Sequence, residues 1–186
     1  MAVKSAAMEA HARKWNASDL KTRWLDIKSK TPIPGFSSGK ALEYLIIRAF
    51  EIEGADVRWP YEVTHPQKTG TMEQIDGFIY VDGRPYLIEC KDLADPVAIE
   101  TIAKIRFRLE ARPPETLGLV FSMKDYTTPT EIYTQFAVPK NVMLWGLADM
   151  EYAINAGKAK AGLNAKRKYI FEHGLPWLIL NSKVAP

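Results

Sequence analysis

The sequence predicts an α/β protein in which one mixed sheet is flanked by helices. Three observations predict it: an apolar stripe at helical spacing over 42–50, two strand-like runs around Asp82-Gly83, and alternating helical and strand patterns from residue 96 onward. Strands followed by alternating helices and strands are typical of a sheet covered by helices.

The composition fits one compact domain. Of 186 residues, 47% are apolar and 25% charged, which is ordinary globular usage and excludes disorder, collagen and a coiled coil. The longest apolar runs fall far short of the roughly 20 residues that span a bilayer, and no secretory leader is recognisable. Cys90 is the only cysteine, which excludes an internal disulfide and a cysteine-based zinc site. We therefore expect a cytoplasmic protein.

The first elements are predicted to be helices. Residues 1–30 have helical composition with a loose apolar face, and a Pro-rich stretch ends them. Ser37 and Ser38 are candidate caps of the next helix, which is closed by Gly54. Its apolar stripe consists of Leu42, Leu45, Ile46, Ala49 and Phe50.

Strands come next along the chain. Strand-like runs rich in β-branched and aromatic residues occupy 56–63, 73–81 and 85–91, with a turn-rich stretch at 65–70. The remaining pattern predicts a helix at 96–111, a strand at 117–123, a helix at 129–137, a strand at 141–146 and helices at 147–156 and 158–173.

Charge divides the chain into a basic N-terminal helical segment at 1–30, a core at 36–156 and a basic C-terminal helical segment at 157–186. Residues 1–30 carry seven basic against three acidic residues, and the C-terminal segment carries six against one. Such ends can attract a polyanion, or they can be solvated helical faces. The densest set of candidate nucleic-acid ligands is Lys158, Lys160, Lys166, Arg167 and Lys168.

Asp82-Gly83 is a strong hairpin signal, because both central residues of a type I′ turn need positive φ. A two-residue loop then sets Asp76 directly opposite Glu89. Two opposed carboxylates repel each other, and a hard divalent cation such as Mg²⁺ would relieve the repulsion. A longer loop or a bulge would shift this register.

The same register places Lys91 on the face of Glu89 and opposite Gln74. The Lys91 ammonium could there orient a water or stabilise charge on phosphorus. The alternative is an exposed hairpin with a Glu–Lys salt bridge. The opposite face, expected to be core, carries Ile75, Ile79, Ile88 and Cys90.

Two further charged residues lie beside apolar stripes. Glu43 lies on the flank of the first stripe, where a carboxylate needs a cation or backbone donors unless it snorkels to water. Lys40 and Tyr44 should point away from that stripe. Arg106 lies among apolar residues of the predicted helix 96–111, and we expect it to pair with an acid rather than to contact phosphate.

The sequence resembles the PD-(D/E)xK, or restriction-endonuclease-like, nuclease superfamily. The resemblance is carried by Glu43 in an early helix, by the pair Ile75-Asp76 and by the run Ile88-Glu89-Cys90-Lys91. The resemblance covers roughly residues 38–154, and Ile75 stands where the motif name has proline. Segments 39–54 and 120–122 and the hairpin from Asp76 to Lys91 look most like the restriction enzymes that act on modified DNA and their stand-alone relatives.

The resemblance implies a mixed four- or five-stranded sheet flanked by helices, with the site on a central hairpin. It implies that Asp76, Glu89 and the backbone carbonyl of Cys90 hold Mg²⁺, with Mn²⁺ as a substitute. By the same resemblance, Glu43 supports the site or a second ion, and Lys91 assists the attacking water.

The expected function is that of a metal-dependent endonuclease that hydrolyses DNA phosphodiester bonds. Two alternatives stay open: a structure-specific recombination or repair nuclease of the junction-resolvase type, and a non-catalytic nucleic-acid-binding subunit with the same fold. Cutting both strands of DNA requires two sites, so a homodimer or a larger restriction complex is the expected assembly.

Overall fold

The computed structural model describes residues 2–37, 39–64, 67 and 70–184, so Ser38 and most of the predicted turn-rich stretch 65–70 lie outside the described residues. The helices are α1 (Ala2–Ala12), α2 (Ala17–Lys28), α3 (Lys40–Ile52), α4 (Ile99–Glu110), α5 (Thr128–Phe136), α6 (Leu147–Ala156) and α7 (Ala159–His173). The strands are β1 (Asp56–Arg58), β2 (Tyr61–Thr64), β3 (Thr71–Ile75), β4 (Gly77–Val81), β5 (Arg84–Lys91), β6 (Leu117–Ser122) and β7 (Val142–Trp145). Within the described ranges, none of the helices is long and apolar enough to cross a membrane.

A five-stranded sheet forms the centre of the fold, in the order β1-β4-β5-β6-β7. Strand β4 pairs antiparallel with β1 and β5, whereas β6 pairs parallel with β5 and β7. Strands β2 and β3 form a separate antiparallel pair. The prediction of a mixed four- or five-stranded sheet flanked by helices is confirmed.

Both faces of the sheet are covered, so β6 and β7 are buried along their whole length. One face packs against α3, and a single hydrophobic cluster extends from it to the helices at both ends of the chain. Trp24 and Leu163, from the basic terminal segments, are fully buried in this cluster. A second cluster lies under α4 and includes Phe78, Leu87 and Ile105.

The start of α3 differs from the prediction. The N-cap position is Gly39, with no side-chain cap hydrogen bond, so Ser37 does not cap the helix. Tyr44 does not point away but is fully buried, because α1 packs on that side of α3 and the Ser5 hydroxyl lies 3.0 Å from the Tyr44 hydroxyl.

The predicted hairpin forms with the predicted register. Asp82 and Gly83 have φ of 51° and 71°, and Val81 lies opposite Arg84. These left-handed φ values match the twist of the strands, so the two-residue turn fixes the pairing of β4 with β5.

The strands predicted at 56–63 and 73–81 are each interrupted. The first breaks before β2, where Pro60 has no N–H to offer a ladder. The second breaks at Asp76, where the chain bends between β3 and β4.

The bend has two consequences for the predicted faces. Gln74 pairs with Glu62 of β2, so its predicted position opposite Lys91 is wrong. Ile75 belongs to the cluster under α4, not to the face of Ile79, because β3 has left the plane of the large sheet.

Candidate active site

Asp76 occupies the bend where β3 ends and β4 begins. Its Oδ2 accepts a 2.9 Å hydrogen bond from the backbone N–H of Cys90. The carboxylate therefore replaces the carbonyl that a continuing strand would offer to this amide. The Lys91 carbonyl accepts from Met123 on the β6 side, so the carbonyl of Cys90, one residue earlier, faces the Asp76 side.

Glu89 is 2% exposed and lies on β5, beside Asp76. Its Oε1 accepts a 2.7 Å hydrogen bond from Lys91 Nζ, and its Oε2 accepts a 2.5 Å hydrogen bond from Arg108 Nη1. Lys104 Nζ lies 3.7 Å from the same Oε1. Burial raises the pKa of Glu89, but the hydrogen bond and charge of Lys91 and the charge of Arg108 outweigh it, so the pKa is lowered.

Glu43 reaches the same place from α3. It is 7% exposed, and Lys40 Nζ donates to its Oε1 and Oε2 at 2.8 and 2.7 Å, so Lys40 faces the site instead of pointing away as predicted. Burial, followed by the charge of Asp76, raises the pKa of Glu43 to about 7 despite the opposing effect of Lys40. The charge of Glu89 adds to the rise.

Asp76 carries a raised pKa as well. Burial is the largest cause and the charge of Glu89 the second, partly offset by the hydrogen bond from Cys90. The three carboxylates of Glu43, Asp76 and Glu89 therefore act on one another electrostatically. With Lys91, they form one cluster at the end of the β4–β5 hairpin, where the sequence predicted it.

Arg108 is the member of this cluster that the sequence did not predict. The expectation fell on Arg106, which donates to the carbonyl oxygens of Val138 and Pro139 at 2.6 and 3.1 Å instead of to an acid. On a helical wheel Arg106 lies nearer the centre of the apolar stripe, so periodicity favours it. Arg108 is buried because it pairs with Glu89 on the sheet beneath α4. The pattern of a single helix does not show a partner on another element.

Arg108 of α4 and Arg112, two residues beyond the end of α4, also hold the strand before the bend. Arg108 Nη2 donates to the Gln74 carbonyl at 2.6 Å, and Arg112 Nη2 donates to Glu73 Oε2 at 2.6 Å. The same helix thus fixes both the buried carboxylate of Glu89 and the segment that leads into Asp76.

The predicted nucleic-acid ligands of the C-terminal segment have different surroundings. Lys166 is 2% exposed, and its Nζ donates to Asp149 Oδ2 at 2.7 Å and to the carbonyl oxygens of Leu144 and Leu178. Its predicted phosphate contact is therefore wrong: the ammonium fills a structural role, and burial, opposed by Asp149, lowers its pKa. Lys168 is exposed, with 75% of its side chain accessible.

The basic helix α7 lies near the turn of the hairpin, not near the carboxylates. Asn164 Nδ2 donates to Asp82 Oδ2 at 2.8 Å, and Arg167 Nη1 donates to the Tyr86 hydroxyl at 3.0 Å. From Gly77 to the turn, β4 covers about 13 Å at about 3.3 Å per residue. The carboxylate cluster and the part of α7 that contacts the hairpin therefore lie at opposite ends of the hairpin.

The oxygen donors of the cluster fit a hard divalent cation. No three His, Cys, Asp or Glu side chains in the described part of the chain are placed to hold a metal on their own. Asp76, Glu89 and the Cys90 carbonyl offer two carboxylates and one carbonyl, and Mg²⁺ is usually held by one or two carboxylates with water and substrate phosphate. Burial, and after it the neighbouring carboxylates, raise the pKa values of Asp76 and Glu43, and a bound cation would favour the ionised forms of both groups.

Comparison with known proteins found no matching protein family and no matching curated sequence. Two solved structures are similar to the chain at a distance. A protein of unknown function, AF1548, matches with a TM-score of 0.46 and 16% identity over 77% of this chain and 90% of that one. The DNA modification-dependent restriction endonuclease AspBHI matches with a TM-score of 0.45 and 14% identity over 88% of this chain, which spans 42% of AspBHI.

Proposed function

We propose that the chain is a nuclease of the PD-(D/E)xK superfamily that hydrolyses DNA phosphodiester bonds with Mg²⁺. The observation that carries this proposal is the convergence of Asp76, Glu89 and Lys91 at the end of the β4–β5 hairpin. An acidic pair next to an amine at a bend suits phosphoryl chemistry better than it suits stability, because, in addition to burial, the charge of Glu89 raises the pKa of Asp76 and both charges raise the pKa of Glu43.

Asp76, Glu89 and the Cys90 carbonyl would hold the ion, with Glu43 as support or as part of a second site. The chemistry that bound Mg²⁺ supplies is activation of a coordinated water and stabilisation of charge on the scissile phosphate, with Mn²⁺ as a substitute. Each of these oxygen donors is held by the fold: Asp76 by Cys90 N–H, Glu89 by Arg108 and Glu43 by Lys40.

Lys91 would orient the attacking water and donate to the phosphate oxygen as charge develops there. Its Nζ is 2.7 Å from Glu89 Oε1, and 23% of the side chain is exposed, so the ammonium is anchored on the protein side and reachable from solvent. Arg108 positions Glu89 and lies too deep, at 7% exposure, to meet a phosphate itself.

Phosphate contacts outside the site are proposed for Lys158, Lys160, Arg167 and Lys168. These residues lie on or next to α7, which contacts the hairpin through Asn164 and Arg167, and none of them is buried like Lys166. Since the catalytic region is acidic, positive charge at a distance is needed to hold the DNA backbone.

The test is incubation of the purified protein with supercoiled plasmid in Mg²⁺, in Mn²⁺ and in EDTA. We expect nicked or linear DNA only in the presence of metal. Intact plasmid in both metals, or cleavage that persists in EDTA, would contradict the proposal. A branched DNA substrate cut in preference to the plasmid would favour the junction-resolvase alternative.

One observation favours a second candidate, a non-catalytic nucleic-acid-binding subunit. Glu89 is already neutralised by Lys91 and Arg108, with Lys104 nearby, which makes it a weaker metal ligand than a free carboxylate. This candidate predicts metal-independent DNA binding without cleavage, so the plasmid test separates it from the nuclease. A double-strand cut would further require two sites, and therefore a homodimer or a larger complex.

A further inference from the structure

A cavity of about 490 Å³ opens beside the carboxylate cluster, between α1, the start of α3 and the β2–β3 pair. This volume lies within the range of about 300–1,000 Å³ in which proteins bind small molecules. The cavity is not part of the cluster, and none of the proposed metal ligands lines it.

Lys40 connects the cavity to the cluster. Its side chain lines the cavity, while its Nζ donates to both oxygens of Glu43. Gln74 lines the cavity from the other side, two residues before Asp76 along the chain. A group held in the cavity would therefore be a near neighbour of a phosphate bound at Asp76.

The walls of the cavity combine flat apolar surface with hydrogen-bonding groups. Tyr61 and Met8 supply the accessible apolar part, whereas Tyr44 is fully buried, and the Arg58 guanidinium lies 3.7 Å from the Tyr61 ring centroid, which holds that ring in place. Tyr44 is fixed by its hydrogen bonds to Ser5.

The charges of the cavity select against phosphate. Glu9 and Glu62 line it, and the ammonium of Lys40, which also lines it, is already paired with both oxygens of Glu43, so an anion placed there would be repelled. A neutral, flat ligand with amino groups suits it better, because carboxylates accept from the amino group of cytosine and amides such as Gln74 pair with adenine.

We propose that this cavity receives one unstacked nucleobase from the nucleotide next to the scissile phosphate. The inference rests on the proposed function and narrows its substrate to DNA in which a base has left the helix, as at a bulge or a single-stranded end. Such recognition combines stacking on aromatic side chains with hydrogen bonds to the base edge.

The probe is a fluorescently labelled short duplex with one bulged nucleotide, compared with the same duplex carrying an abasic bulge and with the fully paired duplex. Binding is measured in Ca²⁺, which should prevent turnover. We expect the base-containing bulge to bind at least about fivefold more tightly than the abasic bulge, since base stacking on aromatic residues is worth about 1–3 kcal/mol.

Neighbouring positions on α1 provide matched variants. Ala6 and Ala7 are both exposed, but Ala6 lines the cavity and Ala7 does not. Ala6→Phe should fill the space and abolish the preference for the base-containing bulge without changing binding of the paired duplex, and Ala7→Phe should leave both unchanged. Gln74→Ala, at an exposed position, is a second cavity variant that should weaken the preference if Ala6→Phe fails to fold.

Equal binding of the base-containing and abasic bulges by the unmodified protein would overturn the inference, as would equal effects of the two phenylalanine variants. Plasmid cleavage in Mg²⁺ is scored separately. Cleavage without base preference would overturn the cavity inference alone. Base preference without cleavage would overturn the nuclease proposal and leave the cavity as a nucleobase-binding site.

Discussion

Arg108 and Glu89 form a buried ion pair, with Arg108 Nη1 2.5 Å from Glu89 Oε2 and both side chains less than one-tenth exposed. The pair joins α4 to the central strand β5 at the carboxylate cluster. Because Arg108 also binds the Gln74 carbonyl, it ties Glu89 to the segment that carries Asp76. Breaking the ion pair between Arg108 and Glu89 should therefore change the geometry of the site and lower the stability of the protein.

Arg108→Met should lower the free energy of unfolding by about 3 kcal/mol, since removing one partner leaves a buried charge poorly compensated. The matched control is Arg106→Met on the same helix, which loses only partly exposed carbonyl contacts and should cost less than about 1 kcal/mol. Urea unfolding measures both values. Equal losses would show that the ion pair with Glu89 has no special role.

The pKa of Glu43, raised to about 7, predicts a pH dependence of stability in metal-free protein. The folded state binds more protons than the unfolded state between the ordinary carboxyl pKa and about 7, so this contribution is present at low pH and lost as pH rises through 7. Glu43→Gln removes it. In EDTA, the free energy of unfolding of the variant, relative to that of the unmodified protein, should therefore be higher at pH 8 than at pH 5.5. A pH-independent difference would contradict the burial of an ionisable Glu43.

The Asp76 carboxylate has two roles: it accepts a structural hydrogen bond, and it carries a repulsive negative charge. Two substitutions separate these roles. Asp76→Asn can keep the hydrogen bond from Cys90 N–H, so its metal-free stability should lie within about 1 kcal/mol of the unmodified protein. Asp76→Ala leaves that amide unpaired and should cost about 1–3 kcal/mol. Both variants should lose the rise in melting temperature on addition of Mn²⁺. Equal destabilisation by the two would contradict this division.

The basic residues on and next to α7 that are not buried should hold phosphates if α7 faces DNA. Changing Lys158, Lys160 and Lys168 together to Ser should flatten the dependence of log affinity on log salt by about 0.9 per lost contact. Lys166 is excluded because it is buried against Asp149. Lys183→Ser, at an exposed position outside α7, is the control. A salt slope unchanged by the triple substitution would mean that α7 lies away from the DNA.

The sequence predicted those parts of the fold that local rules determine. The Asp82-Gly83 turn fixed the register of β4 and β5, and alternation then placed Glu89 and Lys91 on one face. The bend at Asp76 was not predicted, although Asp76-Gly77 is a turn signal of the same kind as Asp82-Gly83, because the pairing of β3 with β2 depends on contacts that the pattern of one strand does not show.

The missed residues share a physical reason. Arg108 and Lys166 are long cationic side chains whose burial depends on an acid supplied by another element, Glu89 in one case and Asp149 in the other. Helical periodicity describes one helix at a time, so it predicts that such residues are exposed to solvent. Lys40 was misread similarly, since its partner Glu43 is itself buried only in the assembled core.

The most direct test of the central claim is the rate of Mg²⁺-dependent plasmid cleavage by the unmodified protein, Lys91→Ala and Lys104→Ala. Both lysines approach Glu89 Oε1, at 2.7 and 3.7 Å, but only Lys91 is proposed to act on water and phosphate. We predict that Lys91→Ala slows cleavage by about 10²-fold or more, and that Lys104→Ala leaves it within about threefold. Two results would contradict the account: no metal-dependent cleavage by the unmodified protein, or cleavage by Lys91→Ala at the rate of the unmodified protein.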